Sequence, residues 1–382
     1  MSQATISKSV LHWALERSGV TPTGLERKFP KIRKWLSGEE QPTLRQLEAL
    51  AKTTYTPLGF FFLKQPPDEV LPIPHFRTQK DVSRPSPNLL EIVQIMRQRQ
   101  AWMRDLLIDE GQERLPFVGS ARLNESPISI AQRIRRILDF QRRWASTQPT
   151  WTSALRFLRE AMENAGILVV VNGIVGNNTR RKLNPNEFRG FVLVDEYAPL
   201  VFVNGADGKA AQMFTLAHEL AHVILGKSAA FDLRQMLPAD DPIEQACNQV
   251  AAEFLVPERE LREIWDTIRD KPDRYESIAR HFKVSVLVAA RRALDLNLIS
   301  RQEFLDFYQD YLQDERRKAV RRADGGDFYA TQDLRIGRRF AFLIIRAASE
   351  GKILYSDAYQ LTGLYGRTFD QYVRHLKIGR IK

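Results

Sequence analysis

The chain has 382 residues, 43% hydrophobic and 27% charged, with a formal net charge of +11, so roughly two or three domains with sizeable cores are expected. A single cysteine, Cys247, excludes an intrachain disulfide and fits a reducing cytoplasm, where we place the protein. No basic-then-apolar leader pattern opens the chain and its apolar runs, such as residues 59–63 and 166–171, are too short to span a bilayer; no membrane association is expected. The basic balance admits nucleic acid or an acidic protein as partner, but a solvated basic surface explains it more simply.

Residues 6–63 read as a small all-helical unit. An amphipathic helix covers 6–18, a second opens at Thr21-Pro22, a short third covers 31–36, and Thr43 caps a fourth over 44–52. Pro66, Pro67, Pro72, Pro74, Pro85 and Pro87 then suppress regular structure. We therefore divide the chain into a helical domain at 1–65, a connector at 66–87, a main domain at 88–270 and a helical region at 271–382. Within the main domain, helices are expected over 89–110, 128–140 and 151–164. A β-branched strand follows at 167–171, and a hairpin pairs 188–194 with 200–204 across the turn at 195–199. Helical patterns resume after Gly208 and run almost to the end. The expected fold class is α+β, predominantly helical.

One apolar helical run carries chemistry: Phe214-Thr-Leu-Ala-His218-Glu219-Leu-Ala-His222. Residues four apart share a helix face, so His218 and His222 can hold one metal ion together. Glu219 follows directly and can act as general base toward the attacking water, the arrangement of zinc hydrolases. A catalytic zinc site needs a third protein ligand. The next helix, expected over 242–256 and stopped by Pro257, offers Glu244, with Asn248 one turn on to orient a histidine through its remaining ring N–H. Rival ligands are Asp240, Asp241, Glu253 and Cys247. Tyr197 and Asn204 are candidate oxyanion donors. His12, His75, His281 and His375 lack ligand spacing and read as structural or exposed.

These stretches resemble the ImmA/IrrE-type metallo-endopeptidases. The similarity lies in Pro199-Leu-Val-Phe-Val-Asn204, in the His-Glu-x-x-His run, and in Glu244-x-x-x-Asn248-x-x-Ala-Ala-Glu-Phe-Leu-Val-Pro257, where Cys247, Val250 and Val256 depart from the family pattern. Residues 275–298, Gly325-Gly-Asp-Phe-Tyr329 and Gly351-Lys-Ile353 resemble the helical tails of longer members, and His75-Phe-Arg77-Thr their connector. Trp35-Leu-Ser-Gly-Glu-Glu-Gln-Pro42 resembles the XRE-like helix-turn-helix that some carry in front. The resemblance implies a minimal gluzincin-like zinc peptidase domain, with zinc on His218, His222 and Glu244 and Glu219 as base. It further implies a protein substrate, either a helix-turn-helix repressor or an antitoxin-like protein.

A helix-turn-helix reads DNA through its second helix. Here that helix would present Lys31, Arg33 and Lys34, in a segment, 1–65, with ten Lys and Arg against five Asp and Glu. Pro30 leads almost directly into the helix, which leaves few side chains for base edges, so DNA and a protein partner stay equal alternatives. The rival function is a DNA-binding transcriptional regulator whose peptidase-like domain senses metal or ligand without cutting. Arg316-Arg-Lys-Ala-Val-Arg-Arg322 is a second basic patch, read more simply as an exposed helix face. Residues 278–299 also have a helix-turn-helix look, but such helices commonly just cover a core.

Overall fold

The structure is a computed structural model that describes residues 6–69, 71, 85–227, 229–231, 241–313 and 327–376, with 229–231 described by backbone alone. His75, Asp240, the 316–322 basic cluster and most of the 66–87 connector lie outside the described residues. The fold is α+β and predominantly helical. It divides into two compact units, one ending at Gln94 and the other beginning at Ile95 apart from residues 73–76.

The first unit contains α1 (Lys8–Ser18), α2 (Pro22–Leu25), α3 (Ile32–Ser37) and α4 (Leu44–Thr54), followed by a 3-10 turn at Leu58–Phe62. Each helix has a local cause. Thr21 caps α2, with Pro22 at its first position. Gly38 ends α3 in the left-handed conformation that favours glycine. Thr43 and Gln46 form a capping box on α4, worth about 1 kcal/mol. Trp13, Phe29, Trp35, Leu47 and Phe61 build the core that ties the short helices together.

The second unit is built around a mixed sheet. After α5 (Pro87–Asp109), α6 (Pro127–Ile137) and α7 (Trp151–Asn164) come β1 (Leu168–Asn172), β2 (Ile174–Val175), β3 (Asn178–Lys182), β4 (Gly190–Leu193) and β5 (Leu200–Asn204). β1 pairs parallel with β5, and β5 pairs antiparallel with β4, which gives the expected hairpin. Asp195 closes that hairpin by accepting from the N–H groups of Tyr197 and Ala198. Two features had no expectation from sequence: the small β2–β3 hairpin, and β6 (Ala229–Phe231), which adds to the outer edge of β4. β1, β4 and β5 are buried on both faces. Val201 and Val203 of β5 join the helical core, while Phe202, pointing the other way, stacks on Phe191 with centroids 4.8 Å apart.

Against the sheet lies α8 (Lys209–Leu225), with every side chain from Gln212 to Leu225 buried. A helix apolar all round belongs in a core. Its last carbonyls are satisfied by a neighbouring segment: Gly119 N–H donates to Val223 and Ala121 N–H to Ile224. α9 (Pro242–Leu255) packs beside α8. α10 (Glu258–Ile268), α11 (Arg274–Phe282), α12 (Val286–Asp295) and α13 (Arg301–Gln313) follow, then α14 (Phe328–Ile336), α15 (Arg338–Ser349), α16 (Tyr355–Thr362) and α17 (Gly366–His375). α11 and α12 do carry a turn between them, with Lys283 left-handed and Ser285 capping α12. Their apolar faces, including Ile278, Phe282 and Val288, join the core that contains α8 and α9.

Candidate metal centre

Two helices position the site. On α8, His218 and His222 stack one turn apart, and both are fully buried. α9 starts at Asp241, whose carboxylate accepts from the N–H groups of Ile243 and Glu244, with Pro242 at the first helical position. That cap sets the first turn of α9 and with it Glu244. Glu244 Oε2 lies 3.2 Å from His218 Nε2, and Glu244 Oε1 lies 3.0 Å from His222 Nε2. The two Nε2 atoms are 3.1 Å apart. Ligand atoms of the three residues all fall within 4.8 Å of one another, so the group can hold a metal ion.

The surroundings prepare the donors. Asn248 Oδ1 lies 3.1 Å from His218 Nδ1. An amide oxygen only accepts, so it favours the tautomer with the proton on Nδ1 and leaves the Nε2 lone pair facing Glu244. Burial pushes the His218 pKa down, which also keeps the ring neutral. Two imidazoles and a carboxylate are a donor set suited to zinc and its neighbours.

Glu219 is fully buried on α8, and neither of its oxygens has a hydrogen-bond partner among the described residues. Burial, and then the charge of Glu244, raises its pKa well above the ordinary carboxylate range. A buried carboxylate without a partner is costly, and such orphans mark sites where a ligand or water belongs. His222 Nδ1 is likewise without a partner there.

The rivals are committed elsewhere. Asp241 caps α9. Glu253 pairs with Arg292 and accepts from the Glu258 N–H. Cys247 faces the apolar core, where burial raises its thiol pKa. Asn204 donates to the Phe188 carbonyl and accepts from Ala206 N–H, and the Tyr197 hydroxyl accepts from Arg114. Gly190 was missed by sequence reasoning. A Cβ there would meet Thr215 Cγ2 at 2.5 Å, the Phe202 carbonyl oxygen at 2.8 Å and Glu219 Oε1 at 3.1 Å. The only signal for it was a glycine inside a strand, a mark of close approach.

The basic residues of the first unit are at its surface. Lys31 and Lys34 both pair with Glu40, and Arg33 pairs with Glu26. α3 is six residues long and buries Ile32, Trp35 and Leu36.

Comparison with known proteins bears on the second unit. No curated protein matches the chain. Residues 336–375 match a domain of unknown function, DUF8813. Residues 162–294 match the peptidase M78 family model, described as the IrrE N-terminal-like domain. That match spans β1 to α12 and contains His218, Glu219, His222, Glu244 and Asn248, and it supports a peptidase-type hydrolase domain around the buried His-His-Glu group.

Proposed function

We propose that the protein is a zinc-dependent endopeptidase of regulatory type that cleaves another protein, such as a helix-turn-helix repressor or an antitoxin-like protein. The observation that carries this reading is Glu219, a fully buried carboxylate with no hydrogen-bond partner for either oxygen among the described residues, next to three converging metal donors. A divalent cation on His218, His222 and Glu244 would supply Lewis acidity to water and to the scissile carbonyl. Glu219 accepts the proton of the attacking water and then carries it to the leaving amine. Asn248 keeps His218 in the donor tautomer, and the apolar walls of α8 and α9 exclude competing water.

Glu219→Gln is the direct test. The variant should keep bound metal, measured by elemental analysis, and lose proteolysis by about 10²-fold or more against a co-expressed repressor. His218→Ala and Glu244→Ala should each lose the metal as well. Cleavage at the wild-type rate by Glu219→Gln would overturn the mechanism. Absence of zinc from protein supplied with it would overturn the zinc peptidase reading.

A further inference from the structure

The second unit holds a cavity of about 390 Å³ outside the His-His-Glu group. It is bounded by the middle of α5, the β2–β3 turn, the end of α14, and the end of α16 with the loop after it. Among the described residues no Asp or Glu lines it, yet two arginines do, Arg99 and Arg335. The rest of the polar lining is neutral, with the amides of Gln98, Asn178 and Gln360, and the ring of Tyr365 stands exposed at its rim.

Arg99 is only 6% exposed. Its Nε donates to the Leu361 carbonyl and its Nη1 to the Arg335 carbonyl, both at 2.9 Å. Its flat face covers the Phe340 ring at 5.6 Å. These contacts leave Nη2 without a hydrogen bond. Arg335 donates from Nη1 to Asn177 Oδ1 at 3.3 Å, and Asn177 in turn donates to the Gly363 carbonyl. Among the described residues neither guanidinium has a carboxylate partner, although buried charges ordinarily do.

The charge balance decides what would fit. The two carbonyls that hold Arg99 belong to the last turns of α14 and α16. Each helix end contributes about half a negative charge. Together they offset about one of the two cations, so the cavity retains about one uncompensated positive charge. Burial lowers the pKa of Arg99 to about 10, which still leaves it charged at neutral pH.

We propose that this cavity binds a small molecule carrying a terminal phosphate or carboxylate, held between Arg99 and Arg335. Nη2 of Arg99 and the remaining donors of Arg335 would bind such an oxyanion by charge-assisted hydrogen bonds. The amides of Gln98, Asn178 and Gln360 supply donors and acceptors for the remainder, and Tyr365 supplies a face for a ring. The volume is that of an ordinary small-molecule site. Its walls come from both the IrrE-like region and the region of unknown function, so a ligand here would bridge the two.

The test is calorimetric titration of the full chain at low ionic strength with inorganic phosphate, adenosine monophosphate, succinate and adenosine. Saturable binding of adenosine monophosphate or succinate at one per chain is expected, with adenosine silent. Phosphate against carboxylate preference separates the two ligand sources. Arg335→Gln should weaken binding about tenfold or more. Gln98→Glu, at an exposed position, should do the same by adding a negative charge without touching the fold, as checked by circular dichroism. No binding of any anionic probe would overturn the proposal, as would binding that both variants leave unchanged. The readout is heat, not cleavage, so it stands or falls independently of the peptidase reading.

Discussion

At the scale of single residues, the metal centre depends on protons as much as on positions. Three donors packed within hydrogen-bond distance can hold a cation only if both imidazoles offer lone pairs. For His218 that condition is met by Asn248, whose carbonyl oxygen holds the ring proton on Nδ1. Asn248→Ala should therefore lower metal affinity about 10- to 100-fold without abolishing it. Competition with a calibrated chelator reads this, and unchanged affinity would show that packing alone orients the ring. Among the described residues His222 Nδ1 has no comparable partner, and the ring is held within the buried face of α8. The DNA reading belongs to this scale too. Lys31, Arg33 and Lys34 are drawn into pairs with Glu40 and Glu26, exposed pairs of a kind worth little in water and readily exchanged for phosphate.

At the scale of elements, the site is a strand pressed against a helix. β4 approaches α8 so closely at Gly190 that no side chain fits between Thr215, the Phe202 carbonyl and Glu219. Two of those three neighbours cannot swing away: one is backbone and the other a β-branched side chain. Gly190→Ala should therefore destabilise the protein by about 1–3 kcal/mol, seen as a lower urea midpoint. Combining it with Thr215→Ser, which removes the nearest atom, should recover part of the loss. A midpoint equal to wild type for the single variant would mean that strand and helix separate easily, and that the packing around Glu219 is looser than its distances indicate.

At the scale of the whole molecule, the two matched regions of the second unit are stitched together through buried polar groups. Glu163 of α7 accepts from the Arg338 N–H at 2.9 Å, which caps the start of α15. Burial raises the pKa of Glu163, more than the opposing charge of Arg159 lowers it. A raised carboxylate binds its proton more tightly folded than unfolded. Its stabilising contribution is thus complete below the unfolded value of about 4.3 and is lost as pH rises through the folded value. Glu163→Gln keeps the accepting oxygen but cannot ionise. Relative to wild type, the variant should gain stability progressively from about pH 4.3 upward. Urea titrations at a series of pH values check this, and a gap independent of pH would contradict it.

Local pattern alone brought the candidate site into view. The four-residue spacing of His218 and His222, the adjacent Glu219, and the Glu244–Asn248 pair on a proline-bounded helix are all local, because helix periodicity converts sequence spacing into a shared face. The main helices and the β4–β5 hairpin were legible for the same reason. What required the tertiary structure was every relation between distant segments. The parallel pairing of β1 with β5 joins residues more than thirty positions apart, and no local signal encodes it. β6 was invisible because three residues carry no periodicity. The choice of Glu244 over Asp241 and Glu253 became visible only when Arg292, 39 positions away, claimed Glu253 and the helix cap claimed Asp241. Arg99 lies 262 positions from its carbonyl partner at Leu361. A lone arginine in a helix says nothing by itself; burial without a counter-charge, which only packing creates, is what gives it meaning.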